Sequence, residues 1–343
     1  MNDFSSYEKM PNTLKKLNLS PSDFSRLEKL KWVVTEKAHG ANFSFVYEDK
    51  KLKFAKRKSY LSWNDDFFAF QLVVNKIEDK IIEIFEELSQ KLKASKYIIY
   101  GELFGGEYPH LEVSADPNLQ AIQTGVYYSP FIEFYAFDIA IENIEENSKY
   151  YLDYESSLKL FEEYKITHAK ALFVGKFSDA LEFNIRINST IPKQLNLPSL
   201  SDNLIEGLVI KPYNHNGLDN KSIRPIIKLK NPEFEEEKKF HKAKKWNYIP
   251  NTSSKSEDLS FIVEDLRNYI TENRLESAIS KTGQLDFNNP KRILEIESEF
   301  LRDILTDFNE NNDDFLDSLT KEDKLWIKNR IKSEISKIVY LFS

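Results

Sequence analysis

The chain has no cysteine in its 343 residues, which excludes disulfides, thiolate metal sites and any thiol nucleophile. Histidine is nearly as scarce: the five, His39, His110, His168, His215 and His241, are too scattered to propose a zinc site. Any metal is therefore expected to be a hard ion held by oxygen. Long apolar runs are missing too, since no stretch approaches the ~20 residues that span a bilayer. The polar start Met1-Asn2-Asp3-Phe4 lacks the basic end and apolar block of a signal peptide. A soluble, cytoplasmic (intracellular) protein with no membrane partner is expected. There is no excess of positive charge: 48 basic residues face 55 acidic ones, for a net charge of -7. A chain-wide polyanion-binding surface is thereby disfavoured, and any nucleic-acid contact must come from local basic patches.

What is present supports a well-filled core in two domains of ordinary size: 41% apolar residues, with 25 Phe and 17 Tyr. Residues 1–29 read as turns with a short helix beginning near Ser20-Pro21-Ser22-Asp23. Residues 30–58 read as an antiparallel meander. Over 65–94, Val74, Ile77, Ile81, Ile84, Phe85, Leu88 and Leu92 recur at helical spacing, a core-packing stripe. Tyr97–Glu102 and Phe131–Glu142 are strand-like, the second apolar on both faces like a buried central strand. Helical segments then alternate with Ala171-Leu172-Phe173-Val174, and Glu206–Pro212 and Ile226–Lys230 complete the strands. From Asn247 onward the composition shifts to 13 basic and 19 acidic residues with one glycine, Gly283. Leu259-Phe261-Ile262-Leu266 and Trp326-Ile327-Ile331-Ile335-Ile338 predict helices there, joined by a loop at Asn309–Asp314. The expected domains are 1–246 and 247–343.

Chemistry is concentrated in five ordered motifs. Lys37 ends the apolar run Trp32-Val33-Val34-Thr35-Glu36-Lys37 and is followed three residues later by Gly40, where a covalent amine nucleophile would be placed. An amine is a poor nucleophile while protonated, so such a lysine needs cationic neighbours, burial or a metal. Downstream come Tyr100-Gly101-Glu102-Leu103-Phe104-Gly105-Gly106, Phe134-Tyr135-Ala136-Phe137-Asp138, Glu206-Gly207-Leu208-Val209-Ile210-Lys211 and Lys228-Leu229-Lys230. Of the nine glycines, five (Gly40, Gly101, Gly105, Gly106 and Gly207) fall inside these motifs. Glycine is costly in regular structure and is kept where φ is unusual or a ligand approaches the backbone.

This order resembles the covalent nucleotidyltransferase superfamily of polynucleotide ligases and capping enzymes. Glu36-Lys37-x-His39-Gly40-x-Asn42-Phe43-Ser44 with Phe-Tyr-Ala-Phe-Asp looks most like its RNA ligase 2 family, which includes the RNA-editing ligases. The resemblance implies an α+β fold: an antiparallel-rich nucleotidyltransferase (ATP-grasp-like ligase) domain followed by a small all-α C-terminal domain. It implies an RNA ligase (ATP) that joins 3′-OH and 5′-phosphate RNA ends through lysyl-AMP and adenylylated RNA, with ATP as co-substrate and Mg2+ (or Mn2+). Lys37 would be the nucleophile, with Lys228, Lys230 and Glu206 as further catalytic residues and Glu206 as metal ligand. Glu36, His39, Asn42, Arg57, Glu102 and Phe137 would contact the nucleotide with them: Glu102 through a ribose hydroxyl, Phe137 by stacking on adenine, His39 at a phosphate. Lys56, Arg57 and Lys58 would contact RNA, a nicked duplex, with the protein acting as a monomer. A distal R-x-D-K motif, carried by DNA ligases and capping enzymes, is missing.

Taken singly, the same residues read more plainly. Lys37 could be an exposed strand-end lysine before a turn glycine, and Phe137 a core aromatic. Asp138 could be structural, and the alternating lysines could mark a solvated strand face. The basic runs Lys50–Lys58 and Lys238–Trp246 could be solvated as well. An ATP-dependent DNA ligase or a GTP-dependent capping-type enzyme stands as the alternative chemistry, and a non-catalytic RNA-binding scaffold as an alternative of another class.

Overall fold

Strand β1 (Trp32–Lys37) does not pair with the strand that follows it in sequence. In the computed structural model, which describes residues 4–17, 19–143, 146, 148–215, 224–236, 248–312 and 314–341, the chain forms two compact units, Met1–Thr252 and Ser253–Ser343. The first unit holds two antiparallel sheets. One has the order β10-β9-β1-β8, with β8 at Ala171–Gly175, β9 at Gly207–Pro212 and β10 at Ile227–Lys230. The other has the order β4-β3-β2-β5-β6-β7. Its strands are β2 (Ala41–Glu48), β3 (Lys51–Lys56), β4 (Ser59–Leu61), β5 (Lys96–Glu107), β6 (Ser129–Asn143) and β7 (Ser148–Tyr151).

The meander expected over residues 30–58 is thus correct only for β2 to β4. Between β1 and β2 the chain crosses from one sheet to the other within Ala38-His39-Gly40. Gly40 permits the crossing, because a Cβ on it would lie 2.0 Å from the Leu103 carbonyl oxygen of β5. The approach is by protein backbone, and the same holds for Gly207, whose Cβ would meet the Leu229 carbonyl oxygen at 2.2 Å. Lys37 therefore ends a strand of one sheet while Ala41 begins a strand of the other.

Local chemistry explains the remaining elements. Helix α1 (Pro21–Leu27) starts where the sequence indicates: Ser20 Oγ accepts from Asp23 N, the Asp23 carboxylate accepts from Ser20 N at 2.9 Å, and Pro21 occupies the first turn. Helix α2 (Phe70–Lys91) begins five residues later than its apolar period suggests, since Phe68 and Ala69 take positive φ. Its Val74, Ile81, Ile84, Phe85 and Leu88 are buried. Helices α3 (Tyr154–Glu163), α4 (Phe177–Leu181), α5 (Ile191–Gln194) and α6 (Pro232–Glu236) complete the unit's described α-helices. The core of the four-stranded sheet gathers Trp32, Val34, Leu208, Ile210 and Ile227.

The second unit is helical: α7 (Lys255–Arg267), α8 (Glu272–Thr282), α9 (Pro290–Asn311) and α10 (Lys321–Leu341). Leu259, Ile262 and Leu266 are buried, but Phe261 is 55% exposed and belongs to the outer face. Trp326, Ile327, Ile331 and Ile335 form the inward stripe of α10. Helix α9 runs to Asn311, into the expected loop, and the Asn309 side chain then caps the next turn by accepting from Leu316 N at 2.8 Å. Among the described residues, no helix is long and apolar enough to cross a membrane.

Candidate active site

The end of β1 and the start of β2 border one cavity, and its walls come from both sheets. From the four-stranded sheet it takes Thr35, Glu36 and Lys37, with Val209 and Lys211 of β9 and Lys228 of β10. From the six-stranded sheet it takes Asn42, Arg57, Glu102, Tyr135, Phe137 and Asp138. The N-terminal segment Tyr7–Met10 forms the remaining side.

Lys37 Nζ donates to Glu206 Oε2 at 2.5 Å, an ion pair that links residues 169 positions apart. Glu206 lies just before β9, where Lys37 pairs with Gly207 across the ladder. His39 Nδ1 is 3.6 Å from the same carboxylate oxygen. Burial alone would raise the pKa of Glu206, but Lys37 and His39 outweigh it and hold the carboxyl down to about 2. Glu102, on β5, goes the other way. Burial pushes its carboxyl up to about 7, the Glu206 charge adds to that, and Lys37, Arg57 and the Gly40 N–H oppose it. Two carboxyl groups of one site are thereby set apart, one ionised throughout the physiological range and one close to sharing a proton at neutral pH.

The cations are graded by position. Lys228 is half-buried, and burial, Lys37 and Lys230 all lower its pKa. Lys230 is exposed; it lies outside the cavity, on an adjoining cleft that Lys228 also lines. Arg57 occupies the two-residue turn between β3 and β4 and reaches the cavity, whereas Lys56 and Lys58 beside it are exposed and do not line it. The second basic run, Lys238–Trp246, lies outside the described residues.

Three expected nucleotide contacts have protein partners of their own. Both oxygens of the buried Glu36 are engaged: Ser189 Oγ donates at 2.6 Å, and Thr190 N and Oγ1 each donate at 2.8 Å. This carboxylate ties β1 to the turn before α5. His39 packs edge-on against Phe234, its ring centroid 4.7 Å away, and its backbone N–H donates to the buried Tyr128 hydroxyl. Asn42 donates to the Gly101 carbonyl at 3.4 Å and leaves the other end of its amide buried and unpaired. An unpaired buried polar atom on a cavity wall is a place for a ligand hydrogen bond. Phe137 is half-buried, with its ring 5.0 Å from that of Tyr7.

Asp138 anchors the floor. It is 1% exposed and accepts from Lys211 Nζ at 2.7 Å, Arg224 Nη2 at 2.5 Å and the Tyr7 hydroxyl at 2.5 Å. Burial would raise its pKa, but Arg224 and Lys211 hold the carboxyl well below the usual range. Tyr7 and Lys9 carry no motif signature, Thr35 is marked only by its place in the run that ends at Lys37, and Lys211 only by closing the run that begins at Glu206. Among the described residues, no three His, Asp or Glu side chains converge as a self-contained metal site. The carboxylates of Glu206 and Glu102 are near enough to interact, which suits a hard cation whose shell is completed by phosphate oxygens and water.

The RNA ligase family model matches residues 30–230, and the T4 RNA ligase 2 C-terminal model matches residues 253–337. The chain is 29% identical over 320 residues to RNA-editing ligase 2, mitochondrial, of Trypanosoma brucei brucei, covering 81% of this chain and 76% of that protein. It is 27% identical over 274 residues to RNA-editing ligase 1, mitochondrial, of the same organism, covering 71% of this chain and 58% of that one. Among solved structures, an apo mutant of the Naegleria gruberi RNA ligase has 17% identity and a TM-score of 0.44, over 68% of this chain and 58% of that one. A second mutant, with AMP and Mn, has 19% identity and a TM-score of 0.43, over 69% and 60%. The chain thus spans less than two thirds of RNA-editing ligase 1 and of the Naegleria chains.

Proposed function

The chain belongs to the RNA ligase family, and on that footing we propose that it is an ATP-dependent ligase joining RNA 3′-OH and 5′-phosphate ends, with a nicked duplex as substrate. The observation that carries the reading is the cavity itself. Lys37 lines it together with Glu102, whose carboxyl is pushed up to about 7, and with Arg57 and Lys228, while Lys37 Nζ is paired with the Glu206 carboxylate.

The chemistry begins with the Lys37–Glu206 pair, in which the amine is held against the carboxylate. Attack requires that the amine leave Glu206 and give up a proton to solvent. The nitrogen lone pair then forms a P–N bond to the α-phosphorus of ATP. The bond from that phosphorus to the bridging oxygen breaks, and pyrophosphate leaves with the electron pair. Next, an oxygen of the RNA 5′-phosphate attacks the same phosphorus, and the P–N bond breaks as Lys37 takes back a proton. Finally the RNA 3′-hydroxyl oxygen attacks the 5′-phosphorus, its proton passes to solvent, and AMP departs.

Each step builds negative charge on phosphate oxygens, so positioned cations are what catalysis needs. Lys228 and Arg57 face the cavity from opposite sheets and supply them. Glu206, with Glu102 beside it, would hold magnesium or manganese, which when bound would add charge neutralisation at the reacting phosphate. Phe137 would stack on the base, and Glu102 would bond a ribose hydroxyl. Glu36 and His39 keep β1 and the crossing in place. Lys56 and Lys58, outside the cavity, would hold RNA phosphates without reading sequence. The helical unit Ser253–Ser343 would assist engagement of the duplex.

The test is incubation of the full chain with α-labelled ATP and magnesium, followed by denaturing electrophoresis. Label should remain on the protein, and Lys37→Ala should abolish it. Labelling by GTP and not ATP would overturn the reading in favour of a capping-type enzyme. No labelling by either would favour a scaffold.

A further inference from the structure

A second cleft opens beside the cavity, and among the described residues every charged group that lines it is positive. Lys9, Lys16, Lys228 and Lys230 border it, with Pro11 and Asn12 between them. Lys9, Met10 and Lys228 line both the cleft and the cavity, so the two are continuous. In a chain of net charge -7, four lysines around one depression, with no carboxylate on its wall among the described residues, is a local inversion of the overall balance.

The N-terminal segment that brings Lys9 there is held on both sides of it. Before it, Phe4 is buried, the Tyr100 hydroxyl donates to the Ser5 carbonyl at 2.7 Å, and the Tyr7 hydroxyl donates to Asp138 at 2.5 Å. After it, the Pro11 carbonyl accepts from Lys228 N at 2.9 Å, covering the outer edge of β10, and Leu14 is buried. The nearest acidic neighbour in sequence, Glu8, is engaged by Lys149 at 3.1 Å and by the Tyr151 hydroxyl. Lys9 and Lys16 are themselves exposed, and their ammonium groups are available to an anion in the cleft.

Resting on the nucleotide reading above, we propose that this cleft is the polyphosphate subsite: Lys9 and Lys16 join Lys228 and Lys230 in holding the β- and γ-phosphates of ATP and the pyrophosphate that leaves. Continuity through Lys228 decides for the nucleotide tail over an RNA strand. A ligand whose α-phosphate sits at Lys37 reaches the cleft past Lys228, whereas Arg57, Lys56 and Lys58 lie on the six-stranded sheet. Such a site would also ease the mutual repulsion of Lys37, Lys228 and Lys230.

The experiment measures binding of ATP, AMP, inorganic pyrophosphate and nicked RNA to the full chain by titration calorimetry. Wild type is compared with Lys9→Ala/Lys16→Ala and with Lys9→Arg/Lys16→Arg. The alanine pair should weaken ATP and pyrophosphate about tenfold and AMP less than twofold, the size expected from two charges near a multiply charged anion. The arginine pair should retain wild-type affinity. Equal losses for AMP and ATP, unchanged ATP affinity, or a loss confined to nicked RNA would each overturn the proposal. A lowered melting temperature of the alanine pair with ATP binding lost even in the arginine pair would also overturn it, since charge would then not be the cause. Wild-type chain that binds neither ATP nor AMP would instead sink the nucleotide reading on which the proposal stands.

Discussion

Replacing Asp138 by Asn tests whether the floor of the cavity is an ionic assembly that depends on its single anion. Asp138 is 1% exposed, and Lys211 and Arg224 approach it at 2.7 and 2.5 Å with side chains only 5% and 15% exposed. Asn keeps the shape but removes the charge, and its amide N–H2 faces donors on three sides. Two buried cations then lose their counter-ion. Breaking a buried pair from one side costs about 3–5 kcal/mol, far more than the pair contributes relative to an apolar replacement. At about 2–4 °C per kcal/mol for a domain of this size, melting of the first unit should fall by about 6–20 °C. Calorimetric melting of the full chain reads this, with Lys91→Gln as the contrasting variant. The exposed ion pair of Lys91 with Glu87 one turn away should leave the melting temperature unmoved. The sign with pH follows from the depressed carboxyl. Its stabilisation is present above the unfolded value near 3.9 and is lost as pH falls below that. The gap between Asp138→Asn and wild type should therefore hold from pH 8 down to about pH 4 and close only below it. A shift under about 2 °C at neutral pH would show that Lys211 and Arg224 find other partners, and the argument would fail.

Three other outcomes follow from the geometry. Gly40→Ala should abolish self-labelling with ATP or destabilise the first unit severely, because the added methyl would sit 2.0 Å from the Leu103 carbonyl oxygen; normal labelling with a normal melt would refute the crossing as described. Lys56→Ala with Lys58→Ala should reduce the salt slope of duplex RNA binding by about 0.9 per lost phosphate contact while labelling from free ATP survives; binding isotherms at several salt concentrations decide, and an unchanged slope would make the run a solvated face. Residues 1–252 without the helical unit should still form lysyl-AMP but seal nicks poorly; undiminished sealing in a gel assay would assign the helical unit another role.

Much of the fold was legible locally. The apolar period over 70–91, the capping box at Ser20, the strand-like runs and the shift to a helical C-terminal unit all depend on neighbours a few residues apart, which sequence spacing reports directly. The order of Lys37, Glu102, Glu206, Lys228 and Lys230 likewise pointed to one site. Tertiary structure decided the rest. It parted β1 from β2 into different sheets through the close approach at Gly40, which no local pattern announces. It set Lys37 against Glu206 across 169 residues and Tyr7 against Asp138 across 131. It engaged Glu36 with Ser189 and Thr190, and it brought Lys9 of the N-terminal segment beside Lys228. Glu102 at about 7 and Glu206 at about 2 show the reason most plainly. Both are glutamates followed or preceded by glycine in strand-like runs, and what separates them is burial and charge acting through space, quantities that a sequence carries only once the chain has folded.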